Sequence, residues 1–112
     1  MIYGLQWDAT CKWLEEKYNI TDSKDWGNYS NNTATGHGKK QDTGFSESWK
    51  ANNIYDFAGN CNEWTQEAYS NSRRVVRGGR YDTKGSAATR LDFNPSNSSY
   101  ISNSSRATLF MM

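Results

Sequence analysis

Hydrophobic residues recur at helical spacing in one stretch of the chain, residues 5–18, "LQWDATCKWLEEKY". Four hydrophobic side chains in this stretch share one face of a helix: Trp7, Cys11, Leu14 and Tyr18. The charged residues of the same stretch lie off that face. The spacing therefore predicts one amphipathic helix over residues 5–18, with Asn19 as the signal that ends it.

Residues 19–52 are polar, are punctuated by glycines and show no hydrophobic period. A segment of that length inside a small domain is either a functional loop or a mobile one. Four aromatic residues interrupt it: Trp26, Tyr29, Phe45 and Trp49. We expect these side chains to pin the loop onto the core at intervals.

Two later segments have the hydrophobic content of strands. In residues 73–82, "RRVVRGGRYD", Val75 and Val76 form the centre of a predicted strand, and the glycine pair after it permits a bend. Residues 106–112, "RATLFMM", predict a short apolar closing strand. Between them, residues 92–105, "DFNPSNSSYISNSS", have the composition of turns around Pro95.

Composition agrees with one loop-rich α+β domain over residues 1–112. A length of 112 residues suits a single domain. The hydrophobic fraction of 35% and the mean hydropathy of -0.98 are low for an ordered protein, but 14% of the residues are aromatic and can bury large areas. We therefore expect an ordered domain with an aromatic core, and the shortage of Leu, Ile and Val disfavours a helical bundle.

Charge and hydropathy exclude two classes of partner. The net charge is +1, so no bulk field attracts nucleic acid or an anionic membrane. No apolar run approaches the length of a membrane span, and residues 1–10 lack the layout of a secretion signal. We expect neither nucleic-acid binding nor membrane insertion.

The two cysteines, Cys11 and Cys61, leave two alternatives. A disulfide between them would close a loop of fifty residues and contribute about 3–4 kcal/mol in the absence of strain. Alternatively, both are free thiols that are buried as small hydrophobic side chains.

The densest chemistry lies in residues 53–69, "NIYDFAGNCNEWTQEAY". Asp56, Gly59, Cys61 and Glu63 follow the pattern D-x-x-G-x-C-x-E within a predicted tight turn. Two carboxylates with backbone carbonyls between them match the oxygen ligands that Ca²⁺ requires. Pairs of this kind also cap turns without any metal.

Four blocks in order resemble the formylglycine-generating enzyme (sulfatase-modifying factor) superfamily: "NIYDFAGNCNEWT", "RVVRGGRY", the arginine of "ATR", and "NSSRATLF". The resemblance implies an elaborated C-type-lectin-like fold, with twisted antiparallel strands, much loop and one main helix around Trp7. The chain corresponds to the later part of the family's domain. One departure is that the family's closing "GFR" is Ser104-Ser105-Arg106 here.

The same resemblance implies a structural Ca²⁺. Its ligands would be the side chains of Asp56 and Glu63 and the backbone carbonyls of Gly59 and Cys61. The alternative is an empty turn held by hydrogen bonds. In this family context Arg77, Arg90 and Arg106 are expected to make bidentate pairs with carboxylates and connect the loops.

Catalysis is not expected. The family's enzymes oxidise a cysteine with a copper-binding pair of their own cysteines, and those positions fall on Thr83 and Ala88. Neither side chain supplies the soft thiolate that Cu(I) requires, so no copper is expected. The competing hypothesis is a reduced cysteine-oxidising enzyme, or an accessory to one.

The C-terminal third is crowded with Asn, Ser, Tyr, Asp, Thr and Arg, which suit binding loops. This layout resembles the retroelement-diversified variable proteins of phage and bacteria. The resemblance implies a receptor-recognition domain on a virion or cell surface, able to form a homotrimer, that binds a host glycan or protein. A polar surface without a ligand is the alternative. The predicted contact residues are Arg80, Tyr81, Asp82, Arg90, Asp92, Phe93, Ser99 and Tyr100.

Overall fold

One helix and six short strands form the regular structure in a computed structural model of the protein, which describes residues 2–68, 70–71, 73–93, 103–104 and 106. The elements are α1 (Gly4–Leu14), β1 (Lys50–Ala51), β2 (Ile54–Tyr55), β3 (Asn62–Ala68), β4 (Arg74–Arg77), β5 (Arg90–Phe93) and β6 (Asn103–Ser104). The α+β class predicted from the sequence is confirmed.

The strands form two sheets. β1 and β2 make an antiparallel hairpin whose two-residue loop, Asn52-Asn53, has φ angles of 47° and 66°. Asparagine tolerates that left-handed region better than most residues, which suits a tight hairpin. The larger sheet has the order β5-β4-β3-β6; β4 is antiparallel to both neighbours, and β6 is parallel to β3.

The helix begins one residue before the predicted start and ends earlier than predicted. At its start, the backbone N–H of Tyr3 donates to Oε1 of Gln6 at 2.7 Å. Beyond Leu14, where α1 ends, the Lys17 amide donates to the Leu14 carbonyl three residues back at 3.0 Å, and the Tyr18 amide donates to the same carbonyl at 3.0 Å. This tightens the chain into a turn, so the prediction of a helix as far as residue 18 was wrong at its C-terminal end.

The aromatic core centres on the helix. Trp7 and Leu14 are fully buried, as their helical spacing predicted, and Cys11 and Tyr18 pack beside them partly exposed. The Trp7 ring stacks on Phe57 with centroids 4.0 Å apart, and its Nε1–H donates to the Ala87 carbonyl at 2.8 Å. Burial of this indole therefore leaves no unmet donor.

Strand β4 runs through the middle of the larger sheet. Val75 and Val76 are both buried, although neighbouring side chains on a strand point to opposite faces. Both faces of the sheet are therefore covered at this strand. The predicted strand centred on these two valines is confirmed.

The long loop is anchored at three of the four predicted aromatic residues. Trp26, Tyr29 and Trp49 are buried. Phe45 is 51% exposed and lies against the Trp49 ring with centroids 5.8 Å apart, so its prediction as a core anchor was wrong. One ring can stack on another at the surface without entering the core.

The predicted turn region is corrected at its start. Asp92 and Phe93 belong to β5, where they pair with Val75 and Arg74 of β4. Pairing with a buried neighbouring strand overrides the turn-like composition that follows them. Residues 94–102, including Pro95, and residues 107–112 of the predicted closing strand lie outside the described residues.

Two further expectations concern the thiols and the membrane. Cys11 and Cys61 are both free, so the disulfide alternative does not hold. Burial raises the pKa of the Cys11 thiol to about 11. None of the helices in the described ranges combines the length and hydrophobicity needed to cross a bilayer.

Candidate functional site

The corner between β2 and β3 contains the predicted metal residues and has an unusual backbone. Asp56, Gly59 and Asn60 have φ angles of 53°, 73° and 64°. A Cβ placed on Gly59 would lie 2.5 Å from the Asn28 carbonyl oxygen, so only glycine fits there. The Gly59 amide donates to the Gly78 carbonyl at 2.9 Å, which ties the corner to the end of β4.

Glu63 enters β3 from this corner and is 4% exposed. Arg106 binds both of its carboxylate oxygens, with Nε at 2.7 Å from Oε1 and Nη2 at 3.2 Å from Oε2. The same Nη2 donates to the Tyr55 carbonyl at 3.0 Å. The predicted pairing of Arg106 with a carboxylate is confirmed.

The other two predicted arginine pairs are also present. Arg77, on β4, lies 2.8 Å from Oδ1 of Asp8 on α1. Arg90, on β5, pairs with Glu67 on β3. These pairs connect separate elements, as expected of arginines that hold loops and strands together.

Asp56 is the second buried carboxylate of the corner, at 6% exposure. Its Oδ2 accepts the Gly44 amide at 2.9 Å, and its Oδ1 has no hydrogen-bond partner among the described residues. Burial raises the pKa of Asp56. Burial also raises the pKa of Glu63 to about 7, although Arg106 opposes the shift.

The side chains of this corner fit a guanidinium better than a calcium ion. Both oxygens of Glu63 already accept from Arg106, whose positive charge stands beside the carboxylates. No group of three or more His, Cys, Asp or Glu residues that could hold a metal occurs in the described part of the chain. Calcium bound by Asp56, Gly59, Cys61 and Glu63 stays a prediction.

The raised pKa of Glu63 predicts a pH dependence of stability. Between the ordinary value of 4.5 and about 7, the folded protein binds more protons at this group than the unfolded chain. Its contribution to stability therefore falls as pH rises through that window, by about 3 kcal/mol at most. We expect the stability of wild type relative to Glu63→Gln, from urea denaturation, to decrease between pH 4.5 and 7 and to level off above. A flat or rising difference would contradict the assignment.

A cavity of about 300 Å³ opens beside the turn that follows β4. It is lined by two basic residues, two threonines, one leucine and two buried residues, one at the start of β3 and one just after β4. In that order they are Arg80, Lys84, Thr83, Thr89, Leu91, Asn62 and Gly79. No acidic residue is among these lining residues. The cavity is therefore positively charged, polar and partly apolar.

Hydrogen bonds hold the turn beside this cavity at two points and also bridge the turn internally. The Tyr81 amide donates to the Asn60 carbonyl at 2.9 Å, and the Ser30 amide donates to the Thr83 carbonyl at 3.0 Å. Within the turn, the Thr83 amide and hydroxyl both donate to the Arg80 carbonyl, at 3.2 and 3.0 Å. The turn is thus fixed to the β2–β3 corner and to the long loop.

The predicted contact residues do not share one cavity. Arg80, Tyr81 and Asp82 lie together on the turn, and Arg80 Nε is 2.8 Å from Asp82 Oδ1. Arg90 instead lines a separate concavity of about 470 Å³ that contains Leu5 of α1. Asp92 and Phe93 continue β5. Ser99 and Tyr100 lie outside the described residues.

Of the cavity residues, the sequence predicted only Arg80 as a contact, and Thr83 was named only as a position of the family's cysteine pair. The residues missed are Asn62, Gly79, Lys84, Thr89 and Leu91. Leu91 follows Arg90 on β5, so alternation along the strand sends it to the opposite face. That signal was hidden because β5 was not recognised as a strand. Lys84 and Thr89 carry no motif of their own.

The two positions of the family's copper-binding pair have ordinary structural roles. Thr83 lines the cavity and its hydroxyl donates to the Arg80 carbonyl. The backbone carbonyl of Ala88 accepts from Arg77 Nη2 at 3.4 Å. Neither side chain offers a thiolate.

No family model, curated protein or solved structure matches this chain. The likeness to formylglycine-generating enzymes and to variable proteins therefore stays a prediction from the sequence motifs.

Proposed function

We propose that this chain is a non-catalytic recognition domain that binds a glycan or protein of a host surface through the turn at residues 80–84 and the cavity beside it. The observation that carries the proposal is the cavity itself. It has the basic side chains of Arg80 and Lys84 on a turn fixed by hydrogen bonds, and the exposed side chain of Leu91 on β5. A concave site that combines an apolar surface with a few convergent polar groups is typical of ligand binding.

The anchoring of the turn supports binding because a site that is rigid before contact loses less conformational entropy on association. The Tyr81 amide and the Thr83 carbonyl are both held by residues distant in sequence, Asn60 and Ser30. The exposed side chain of Asp82 stands on the same turn. Variation of such side chains would change the ligand and leave the scaffold intact.

The proposal also includes the class of protein and the surface on which it is displayed. The α+β architecture with a long anchored loop and the Asn, Ser, Tyr and Arg content of the C-terminal third support a C-type-lectin-like variable protein. It would be displayed on a phage tail or cell surface, where trimerisation adds avidity to weak single sites. Thr83 and Ala88 support a role without cysteine oxidation, since neither side chain can bind Cu(I).

Binding to intact host cells and to a panel of immobilised glycans tests the proposal. Lys84→Ala and Arg80→Ala are expected to weaken binding by about tenfold or more, since loss of one charge-assisted hydrogen bond costs about 1.5–3 kcal/mol. Lys12→Ala is the matched control, because Lys12 is an exposed lysine at the end of α1, outside the cavity. Equal loss in all three variants, or no loss in either cavity variant, would refute the turn as the contact surface.

A further inference from the structure

We infer that the cavity beside the turn at residues 80–84 takes one anionic sugar residue, a carboxylate-bearing monosaccharide at the end of a glycan. This rests on the proposed function and names the ligand class of the same site. The cavity lining includes the cations Arg80 and Lys84 and no carboxylate. Asp82 lies outside the lining but pairs with Nε of Arg80, so an acidic ligand would meet the ammonium group of Lys84 and the two remaining nitrogens of the Arg80 guanidinium.

Arg80 is oriented to receive a carboxylate. Its Nε lies 2.8 Å from Asp82 Oδ1, and its side chain is 33% exposed. The two terminal nitrogens of the guanidinium have no partner among the described residues, so they remain available as donors. A guanidinium presents parallel N–H groups that match the two oxygens of a carboxylate.

Lys84 is the second cation and is exposed. No ion pair engages it within the described ranges, whereas Lys24 and Lys50 pair with Asp22 and Glu47. An ammonium group on a flexible stem adapts to the position of the anion that the guanidinium orients. Arg80 therefore orients the carboxylate of the ligand, and Lys84 attracts it.

The neutral lining suits the rest of a sugar ring. The Thr83 hydroxyl donates to the Arg80 carbonyl and keeps lone pairs free to accept. The Thr89 hydroxyl accepts the Ser86 amide at 3.3 Å and keeps its own proton to donate. Leu91, 47% exposed, offers an apolar surface to the C–H face of the ring.

The size of the cavity limits the ligand. About 300 Å³ lies at the low end of the roughly 300–1,000 Å³ of ligand sites. That volume suits one ring with a carboxylate and not an oligosaccharide. The donors, acceptors and apolar surface together favour a sugar over an acidic peptide, which uses its backbone and needs an extended groove.

Titration of the ¹⁵N-labelled full chain with methyl β-D-glucuronide and methyl β-D-glucoside tests the inference. The two probes differ only at C6, which is a carboxylate in the first and a hydroxymethyl group in the second. We expect the glucuronide to shift the amides of Thr83, Thr89 and Leu91 and to bind at least about tenfold more tightly than the glucoside, a preference that added salt reduces. Sialic acid and a Glu-containing tripeptide serve as further probes. The tripeptide is expected to bind more weakly than either acidic sugar.

Two variants sharpen the test. Lys84→Met and Arg80→Gln are expected to reduce glucuronide affinity by about tenfold, and Lys12→Met is expected to leave it unchanged. Because the Lys84 side chain is exposed, Lys84→Met is expected to leave the fold unchanged. It therefore keeps the test valid if Arg80→Gln perturbs the fold, and the amide spectrum shows directly whether it does.

Each outcome separates this inference from the proposed function. Equal binding of glucoside and glucuronide at the same amides would overturn the anionic class and leave recognition at the turn intact. Tighter binding of the tripeptide would overturn the sugar class. Absence of shifts with every acidic sugar would overturn the inference, and the host-cell assay would then decide the proposed function alone.

Discussion

Replacing Arg106 by alanine is expected to lower the free energy of unfolding at pH 8, where Glu63 is ionised in the wild-type protein, by roughly 3–5 kcal/mol, the typical cost of removing one partner of a buried ion pair. Glu63 is 4% exposed and both of its oxygens accept from this guanidinium. The alanine variant also removes the donor to the Tyr55 carbonyl. Urea denaturation followed by tryptophan fluorescence measures the loss.

Matched variants separate the ion pair from the hydrogen bond to the Tyr55 carbonyl. Glu63→Leu combined with Arg106→Met replaces both charges by apolar groups of similar length, and such replacements are often neutral or stabilising. We therefore expect the double variant to be more stable than Arg106→Ala. If the double variant is as unstable as Arg106→Ala, the lost donor to the Tyr55 carbonyl, and not an unpaired carboxylate, explains the effect.

The sequence predicted that Arg106 would pair with a carboxylate, but not which one. Glu63 lies forty-three residues earlier, and both were assigned to different roles, Glu63 to calcium and Arg106 to loop attachment. Proximity across the fold depends on β6, whose pairing with β3 no local pattern reveals. Long-range partners of this kind follow from topology and not from spacing.

Local patterns succeeded where a single period dominates. Trp7 and Leu14 share a helical face that is buried, and Val75 and Val76 centre a strand as predicted. They failed at the end of α1, where local hydrogen bonds to the Leu14 carbonyl tighten the chain, and at the start of the predicted turn region, where Asp92 pairs with Val75. Pairing with a buried strand decides the second of these positions.

The candidate site was predicted in part for the same reason. Arg80, Tyr81 and Asp82 were named as contacts because the composition of their segment suits binding, and they do share the turn. Arg90 was grouped with them although it lines another concavity. Once β5 is known, the alternation of Arg90 and Leu91 follows from strand geometry.

Replacing Tyr29 by alanine is expected to destabilise the protein by roughly 3–5 kcal/mol, as for other large aromatic side chains removed from a core. The ring is fully buried and its hydroxyl donates to the Gly78 carbonyl at 2.6 Å. Burial raises the pKa of the Tyr29 phenol, so the hydroxyl keeps its proton. Cβ atoms placed on Gly27, Gly79 and Gly85 would lie 2.5, 2.9 and 2.5 Å from the ring.

Tyr29→Phe is the matched control because it keeps the ring and removes only the hydroxyl. The Gly78 carbonyl also accepts the Gly59 amide at 2.9 Å, so it retains a partner, and we expect a loss of only about 1 kcal/mol. Denaturation in urea compares the three proteins. A loss in Tyr29→Phe as large as in Tyr29→Ala would mean that the hydrogen bond, and not the packing of the glycines, holds the loop in place.

The same pair of variants links the core to the proposed site. Gly79 lines the cavity and packs on the Tyr29 ring, so removal of the ring takes away the support beneath one wall of the cavity. Below the unfolding transition, Tyr29→Ala is expected to lose binding of methyl β-D-glucuronide, whereas Tyr29→Phe keeps it. Equal affinity in both variants would show that the turn at residues 80–84 holds its shape through its own hydrogen bonds to Asn60 and Ser30, without the ring.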